Sequence, residues 1–312
     1  MIKKHTTTGT SLAKINYDAT LSELYKASES ANTIKAKKSD ITNFIEFCMK
    51  HQMSADSAAF LQYIGFLATE YKYSTLNRRC VHVTQWLKEK NRYDFTREQI
   101  EGLTRIKKGA KNKLHTEKPL KKAPALKQSA LYPILDSMKR TKKSQLRDYT
   151  LLLVTYFGGF RISEALNMKV EDITFTPEGA VLTVPKSKNH QTELTYKLLP
   201  FASNHCPVIA LRKLLQVTGI NSGFVFQTFI SKERFNSGKP VSNVHAWRLI
   251  KRLSAQMFST HSLRAGFVTD AYERGATPTE IMKQTGHKSI AQVMGYNQSI
   301  DITKNNAVSY LV

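Results

Sequence analysis

What most limits the folds open to this chain is a break in its apolar pattern between Ile106 and Lys122. Seven residues of that segment are lysine, one is acidic, and Gly109 and Pro119 interrupt it. No apolar side chain recurs there at a helical or strand period, so the segment reads as a basic linker. The chain must then build one core before it and a second after it, and 312 residues at 41% hydrophobic content suffice for both. The linker is either a solvated hinge or a strip that crosses a phosphate backbone. Charge bears on that choice: 47 Lys and Arg against 24 Asp and Glu leave +23, an excess that suits a polyanionic partner.

Several classes are disfavoured at the outset. The longest apolar run, near Leu151 to Phe157, falls far short of the roughly 20 residues that span a bilayer. The start, Met1-Ile2-Lys3-Lys4 followed by His5-Thr6-Thr7-Thr8-Gly9, lacks the apolar centre of a secretory signal. The expected location is therefore the cytoplasm, at the nucleoid of a bacterium or in the nucleus of a eukaryotic host. Cys48, Cys80 and Cys206 are odd in number and widely spaced. Neither disulfides nor a thiolate metal site is expected, and the three read as buried small hydrophobes.

Before the break, Ile34, Ile41, Ile45 and Cys48 recur at helical spacing between Asn32 and His51, behind the candidate caps Ser30 and Asn32. A second apolar segment runs from Ala58 to Tyr71. A third carries Leu76, Cys80, Val83 and Leu87 on one face. The expected organisation is a tail over 1–14, a helical domain over 15–105, the linker over 106–122 and a second domain over 123–312. The second domain opens with helical stretches from Leu131 to Met138 and from Arg147 to Phe157, stopped at Gly158-Gly159, where positive φ can turn the chain. Strands are expected near Asp172 to Phe175, Val181 to Val184 and Leu194 to Leu199, the last two flanking Lys186-Ser187-Lys188-Asn189-His190. Helices are expected again from Pro207, Val244, His261, Pro278 and Ser289 onward, with Thr277, Pro278 and Glu280 forming a cap, a first-turn proline and a capping box. The fold class is mainly α with a small antiparallel sheet.

Chemistry is carried by a constellation rather than by any one residue. His-x-x-Arg occurs twice, at His245-Ala246-Trp247-Arg248 and at His261-Ser262-Leu263-Arg264, and alone proves nothing. Only the second is followed 23 residues past its arginine by His287 of Gly286-His287, and nine residues later by Tyr296. Together with Gly159-Phe160-Arg161-Ile162-Ser163-Glu164-Ala165-Leu166, these motifs resemble the tyrosine recombinase (phage integrase) family. The likeness covers about Ala123 to the end. The helical domain, with Asn32-Thr33 opening a helix toward Phe44 and Phe47, resembles the family's core-binding domain at the level of pattern.

The resemblance implies a two-domain clamp, a helical core-binding domain of SAM-like type joined to a catalytic domain, acting as a site-specific DNA recombinase or integrase. Tyr296 would be the nucleophile that forms a 3′-phosphotyrosine link and releases a 5′-hydroxyl. Arg161 and Arg264 would clamp the phosphate, since a guanidinium offers paired donors and stays charged. His261 would transfer protons and His287 would hydrogen-bond the phosphate. A hairpin lysine, Lys188 with Lys186 as the alternative, would protonate the leaving oxygen, and Glu164 would support Arg161. Arg78 and Arg79, with Lys107, Lys108, Lys111 and Lys113 of the basic segment, are expected to touch DNA phosphates. No cofactor or metal is implied. The expected partners are duplex DNA, three further copies in a tetrameric synapse formed from free monomers, and an accessory DNA-bending protein. The tail from Asp301 to Val312 would pack on its own domain or on a neighbour. Two other readings share the residues: a DNA-binding protein of this fold without catalysis, and a type IB topoisomerase-like relaxing enzyme.

Overall fold

The computed structural model describes residues 29–118, 123–184, 195–231 and 234–296. The chain divides into two compact units, residues 1–121 and 122–312. Among the described residues no helix is long and apolar enough to cross a membrane.

Among the described residues the first unit has four helices: α1 (Ala31–Lys50), α2 (Ser57–Glu70), α3 (Tyr73–Glu89) and α4 (Arg97–Glu117). Three of their starts are capped by side chains. Ser30 accepts from the Thr33 amide at 3.1 Å, Asp56 from Ala59 at 3.0 Å, and Thr96 forms a reciprocal box with Gln99, each satisfying an amide the first turn leaves open. Leu76, Cys80, Val83 and Leu87, spaced four, three and four, are all fully buried as one stripe of α3. The inward face of α1 differs from expectation. Ile34 is exposed, and Asp40, Phe44 and Cys48 point into the core. Asp40 is tolerated there because Arg78 donates to both of its oxygens at 2.9 Å and His82 Nδ1 lies 2.8 Å away. Burial alone would raise the carboxyl's pKa, but the hydrogen bonds from Arg78 and His82 hold it below the ordinary value.

The basic segment is the main correction to the domain plan. Residues 106–117 continue α4 instead of forming an open linker. Leu103 and Leu114 are its buried contacts; eleven residues apart, they are three turns apart on one face. Two anchors are too few to register as a periodic pattern. The rest of the helix rests on its capping box and on the high helix propensity of Lys, Arg, Gln and Glu.

The second unit is built on α6 (Lys143–Phe157), whose residues from Leu146 to Tyr156 are all buried. Around it lie α5 (Gln128–Ser137), the short α7 (Ile162–Leu166), α8 (Pro207–Thr218), α9 (Asn243–Leu253), α10 (Thr260–Glu273), α11 (Pro278–Thr285) and α12 (Ile290–Met294). Strands β1 (Ile173–Thr176), β2 (Gly179–Val184) and β3 (Thr195–Pro200) form an antiparallel sheet in that order, with Leu182 opposite Lys197. A second hairpin, β4 (Gln227–Ser231) with β5 (Arg234–Pro240), escaped the sequence reading. Asn236, Ser237, Gly238 and Lys239 give β5 none of the β-branched character that marks a strand.

Two local devices bring the site together. After α6 only Gly159 takes positive φ (+56°), while Gly158 stays right-handed at −79°. A Cβ on Gly159 would also lie 2.9 Å from the Thr285 methyl, so the turn that presents Phe160 and Arg161 depends on glycine. The second device is Gln284, whose amide donates to Leu198 O at 2.8 Å and accepts from Leu198 N at 3.3 Å. A side chain thus pairs with the free edge of β3 and fixes the end of α11 beside it.

Replacing Asp40 with Asn removes the charge that Arg78 and His82 share in a buried position. The expected cost is about 2 kcal/mol in urea unfolding, reduced from a fully buried pair because Arg78 is half exposed.

Candidate active site

Arg264 is the most buried of the sequence-predicted site residues, at 2% exposure. It sits in the second turn of α10, and its Nη1 donates to Gly159 O at 2.7 Å and to Thr285 O at 2.8 Å. Those two carbonyls belong to the turns that end α6 and α11, so one nitrogen ties three segments together. The remaining edge, Nε and Nη2, is buried and has no hydrogen-bond partner among the described residues. Burial first, then the nearby Arg161 charge, lowers its pKa to about 10, with Glu164 and Tyr296 opposing the fall. The guanidinium therefore stays charged at neutral pH with paired donors in reserve.

His287 follows Gly286, the left-handed residue that caps α11. It is 7% exposed, and its Nδ1 lies 2.7 Å from the Thr285 hydroxyl. That hydroxyl gives its own hydrogen to Ile281 O at 2.6 Å, so Nδ1 must be the protonated nitrogen of the neutral ring and Nε2 bears a lone pair. Nε2 is buried and unpartnered among the described residues. Burial, then the charges of Arg264, Arg161 and Lys197, lower the imidazole pKa to about 4. The Tyr296 ring lies 5.1 Å from that of His287, centroid to centroid. Tyr296 is held just past α12 by its amide on Val293 O at 2.9 Å and its carbonyl on Thr269 Oγ1 at 3.3 Å.

Arg161 caps the N-terminus of α7 and is partly open to solvent. Its Nη1 donates to Glu164 Oε1 at 2.7 Å and its amide to Oε2 at 3.0 Å. Glu164 therefore holds the arginine by backbone and side chain together. Lys197, which sequence reasoning missed, reaches the same carboxylate, with Nζ 3.4 Å from Oε2. The one signal that could have found it is alternation: Lys197 shares the inward face of β3 with Leu199, where an apolar residue is expected. Burial by itself raises the Glu164 pKa, yet Lys197 and then Arg161 pull it below the ordinary value.

Arg161, Glu164, Lys197, Arg264, His287 and Tyr296 thus form one electrostatic neighbourhood. His261 opens α10 on its exposed side, and no contact among the described residues links it to the others. Lys186 and Lys188 lie outside the described residues, as does the tail from Asp301. Arg79 is mostly buried by Asp40, whereas Arg78 keeps half its surface beside the same carboxylate. Lys108, Lys111 and Lys113 are exposed on α4, and Lys107 is partly covered. No group of three or more His, Cys, Asp or Glu among the described residues is placed to hold a metal ion.

The depressed His287 pKa has a consequence for stability. The unfolded chain binds a proton near pH 6.5 that the folded chain refuses until about pH 4. Stability attributable to this residue is present above pH 6.5 and is lost as pH falls toward 4, by about 3 kcal/mol at most. His287→Gln should flatten that part of the pH dependence in urea unfolding.

The chain matches the model of the phage integrase family over residues 125–301, more than half its length. It is 29% identical over 294 residues to the integrase/recombinase XerD homolog of Selenomonas ruminantium, covering 90% of this chain and 86% of that protein. It is also 29% identical over 171 residues to the virulence plasmid integrase pGP8-D of Chlamydia trachomatis, covering 52% of this chain and 46% of that one. The fold is similar to that of the Tn1549 transposon integrase solved with transposon right end DNA, with a TM-score of 0.61 at 13% identity over 94% of this chain and 97% of that one. With Arg161, Arg264, His287 and Tyr296 in family order and gathered around one buried guanidinium, and with the family model matching more than half its length, this chain belongs to the phage integrase family of tyrosine recombinases.

Proposed function

We propose that this chain cuts and rejoins duplex DNA at specific sites through a 3′-phosphotyrosine intermediate, with its first unit and basic helix gripping the duplex and its second unit performing the chemistry. The observation that carries this reading is the set of buried polar atoms beside a tyrosine that have no hydrogen-bond partner among the described residues: Nε and Nη2 of Arg264 and Nε2 of His287. Buried donors left open cost about 1–3 kcal/mol each. A phosphate group answers the guanidinium edge with two parallel charge-assisted hydrogen bonds.

In the proposed reaction the Tyr296 oxygen attacks the scissile phosphorus and the bond to the 5′-oxygen breaks. The phenol proton passes to His261, and the leaving oxygen takes a proton from Lys188, or from Lys186, to become a 5′-hydroxyl. Arg161 and Arg264 neutralise the equatorial oxygens as charge builds there. The phosphate's own charge offsets the Arg264 and Arg161 charges that, after burial, lower the His287 pKa, so Nε2 takes up a proton from solvent and donates to an oxygen. Attack of a 5′-hydroxyl on the phosphotyrosine reverses the step, which conserves the bond and needs no nucleotide. Exchange between two duplexes takes four such centres. That number supports a homotetrameric synapse of subunits that are monomers when free, with the 301–312 tail as a docking element and a DNA-bending protein as an accessory. Arg78, Lys107, Lys108, Lys111 and Lys113 serve as positional phosphate contacts.

Two outcomes test the proposal. A nicked duplex, chosen by binding from DNA flanking the gene, should trap a covalent protein–DNA adduct on a denaturing gel, and Tyr296→Phe should abolish it while still binding; a wild-type protein that binds but never forms an adduct would point to a non-catalytic binder. Binding should also weaken steeply with salt, with a slope of log affinity against log salt of about −4 or steeper. A nearly flat plot contradicts the phosphate contacts.

A further inference from the structure

Lys197 is an unusual occupant of its position. Strand alternation turns it inward with Leu199, opposite Leu182, and only 2% of its surface is exposed. An aliphatic side chain there would pack without taking an ammonium out of water, a transfer that costs several kcal/mol unless the charge is answered. Two groups answer it. Glu164 Oε2 lies 3.4 Å from Nζ, and the Phe160 ring centroid lies 4.1 Å from it. Both come from the turn and first helical residues that carry Arg161.

We infer that Lys197 is a positioning residue for strand cleavage, holding the Glu164 carboxylate in the orientation that fixes Arg161 for the scissile phosphate. This inference rests on the recombinase reading above. Glu164 has two oxygens and three donors to satisfy: Oε1 takes Arg161 Nη1, while Oε2 takes the Arg161 amide and Lys197. Removing the ammonium leaves Oε2 with the Arg161 amide alone and takes away the largest charge that keeps the carboxyl ionised in this buried setting, so it rotates or takes a proton more readily. Either change releases the Arg161 side chain, which is itself partly exposed and, among the described residues, hydrogen-bonds to Glu164 alone. Phe160 adds a steric stop, since its ring is buried at 2% exposure between the lysine and the glycine turn. Lys197 is not placed to protonate the leaving oxygen, because its nitrogen is spent on Glu164 and the Phe160 ring. Burial, opposed by Glu164 and reinforced by the arginines, lowers its pKa to about 8, so it still carries its charge at neutral pH.

The test uses the full chain and the nicked duplex described above in single-turnover adduct formation, on normal DNA and on DNA whose leaving 5′-oxygen is replaced by sulfur. A thiolate leaves without an acid, so the sulfur substrate rescues loss of a proton donor and not loss of positioning. Lys197→Met should bind the duplex within about 2-fold of wild type and form adduct about 100-fold more slowly, with the deficit kept on the sulfur substrate. Lys197→Arg should recover most of the rate. Combining Lys197→Met with Glu164→Gln should be little worse than Glu164→Gln alone, since both break one chain of contacts. Wild-type rates for a folded Lys197→Met, or a deficit that vanishes on the sulfur substrate, overturn the proposal. Should Lys197→Met fail to fold, Glu164→Gln carries the test with the lysine in place, and its deficit must also survive the sulfur substrate. Absence of adduct from wild-type protein is a different result and marks failure of the recombinase reading itself.

Discussion

The second unit is organised by what happens to one buried cation. Arg264 enters the interior on α10 with three nitrogens, and among the described residues only Nη1 meets the geometry of a hydrogen bond. Nη1 gathers the carbonyls of Gly159 and Thr285, which end two different helices. That single donor sets the distance between the turn carrying Phe160, Arg161 and Glu164 and the turn carrying His287. Gly159 can supply its carbonyl only from a left-handed conformation, and Thr285 supplies its own while its hydroxyl sets the His287 tautomer. The open edge of Arg264 is thus oriented in the free protein, as the proposed phosphate contact requires if the active site is to avoid reorganisation at the moment of reaction.

Charge is distributed unevenly around this point. Arg161, Lys197 and Arg264 surround one carboxylate, Glu164, and burial first, then the neighbouring positive charges, lower the pKa values of Lys197, Arg264 and His287. A protein interior that holds more positive than negative charge is destabilised by itself and stabilised by an anion. The same logic runs at larger scale through the +23 net charge and the exposed lysines of α4. The first unit shows a contrasting arrangement: the buried carboxylate of Asp40 is ringed by Arg78, Arg79 and His82, with both of its oxygens hydrogen-bonded by Arg78.

Much of this was legible in the sequence where a pattern repeats. The α3 stripe from Leu76 to Leu87, the Thr277–Glu280 box and the three-stranded sheet are all periodic or capped, and they fall where the chain says. The spacing of Arg264, His287 and Tyr296 likewise brings them into one neighbourhood. What escaped lacks repetition. The second half of α4 has one buried leucine among lysines and resembles a linker until its capping box is counted. The β4–β5 hairpin is made of residues that favour turns. Asp40 and Lys197 occupy inward positions normally reserved for apolar groups, and their partners, Arg78, His82 and Glu164, lie 33 to 42 residues away. No local pattern contains that information.

The claim on which the rest stands is that Arg264 is fixed, charged and half-satisfied in the free protein. Nitrogen-15 NMR of its guanidinium reads this directly. The account predicts separate, slowly exchanging Nη resonances for Arg264 without DNA, and a shift of the Nε–H signal when site DNA is added. A single averaged Nη signal in rapid exchange with water would contradict it, because the site would then be assembled by the DNA and not by the fold.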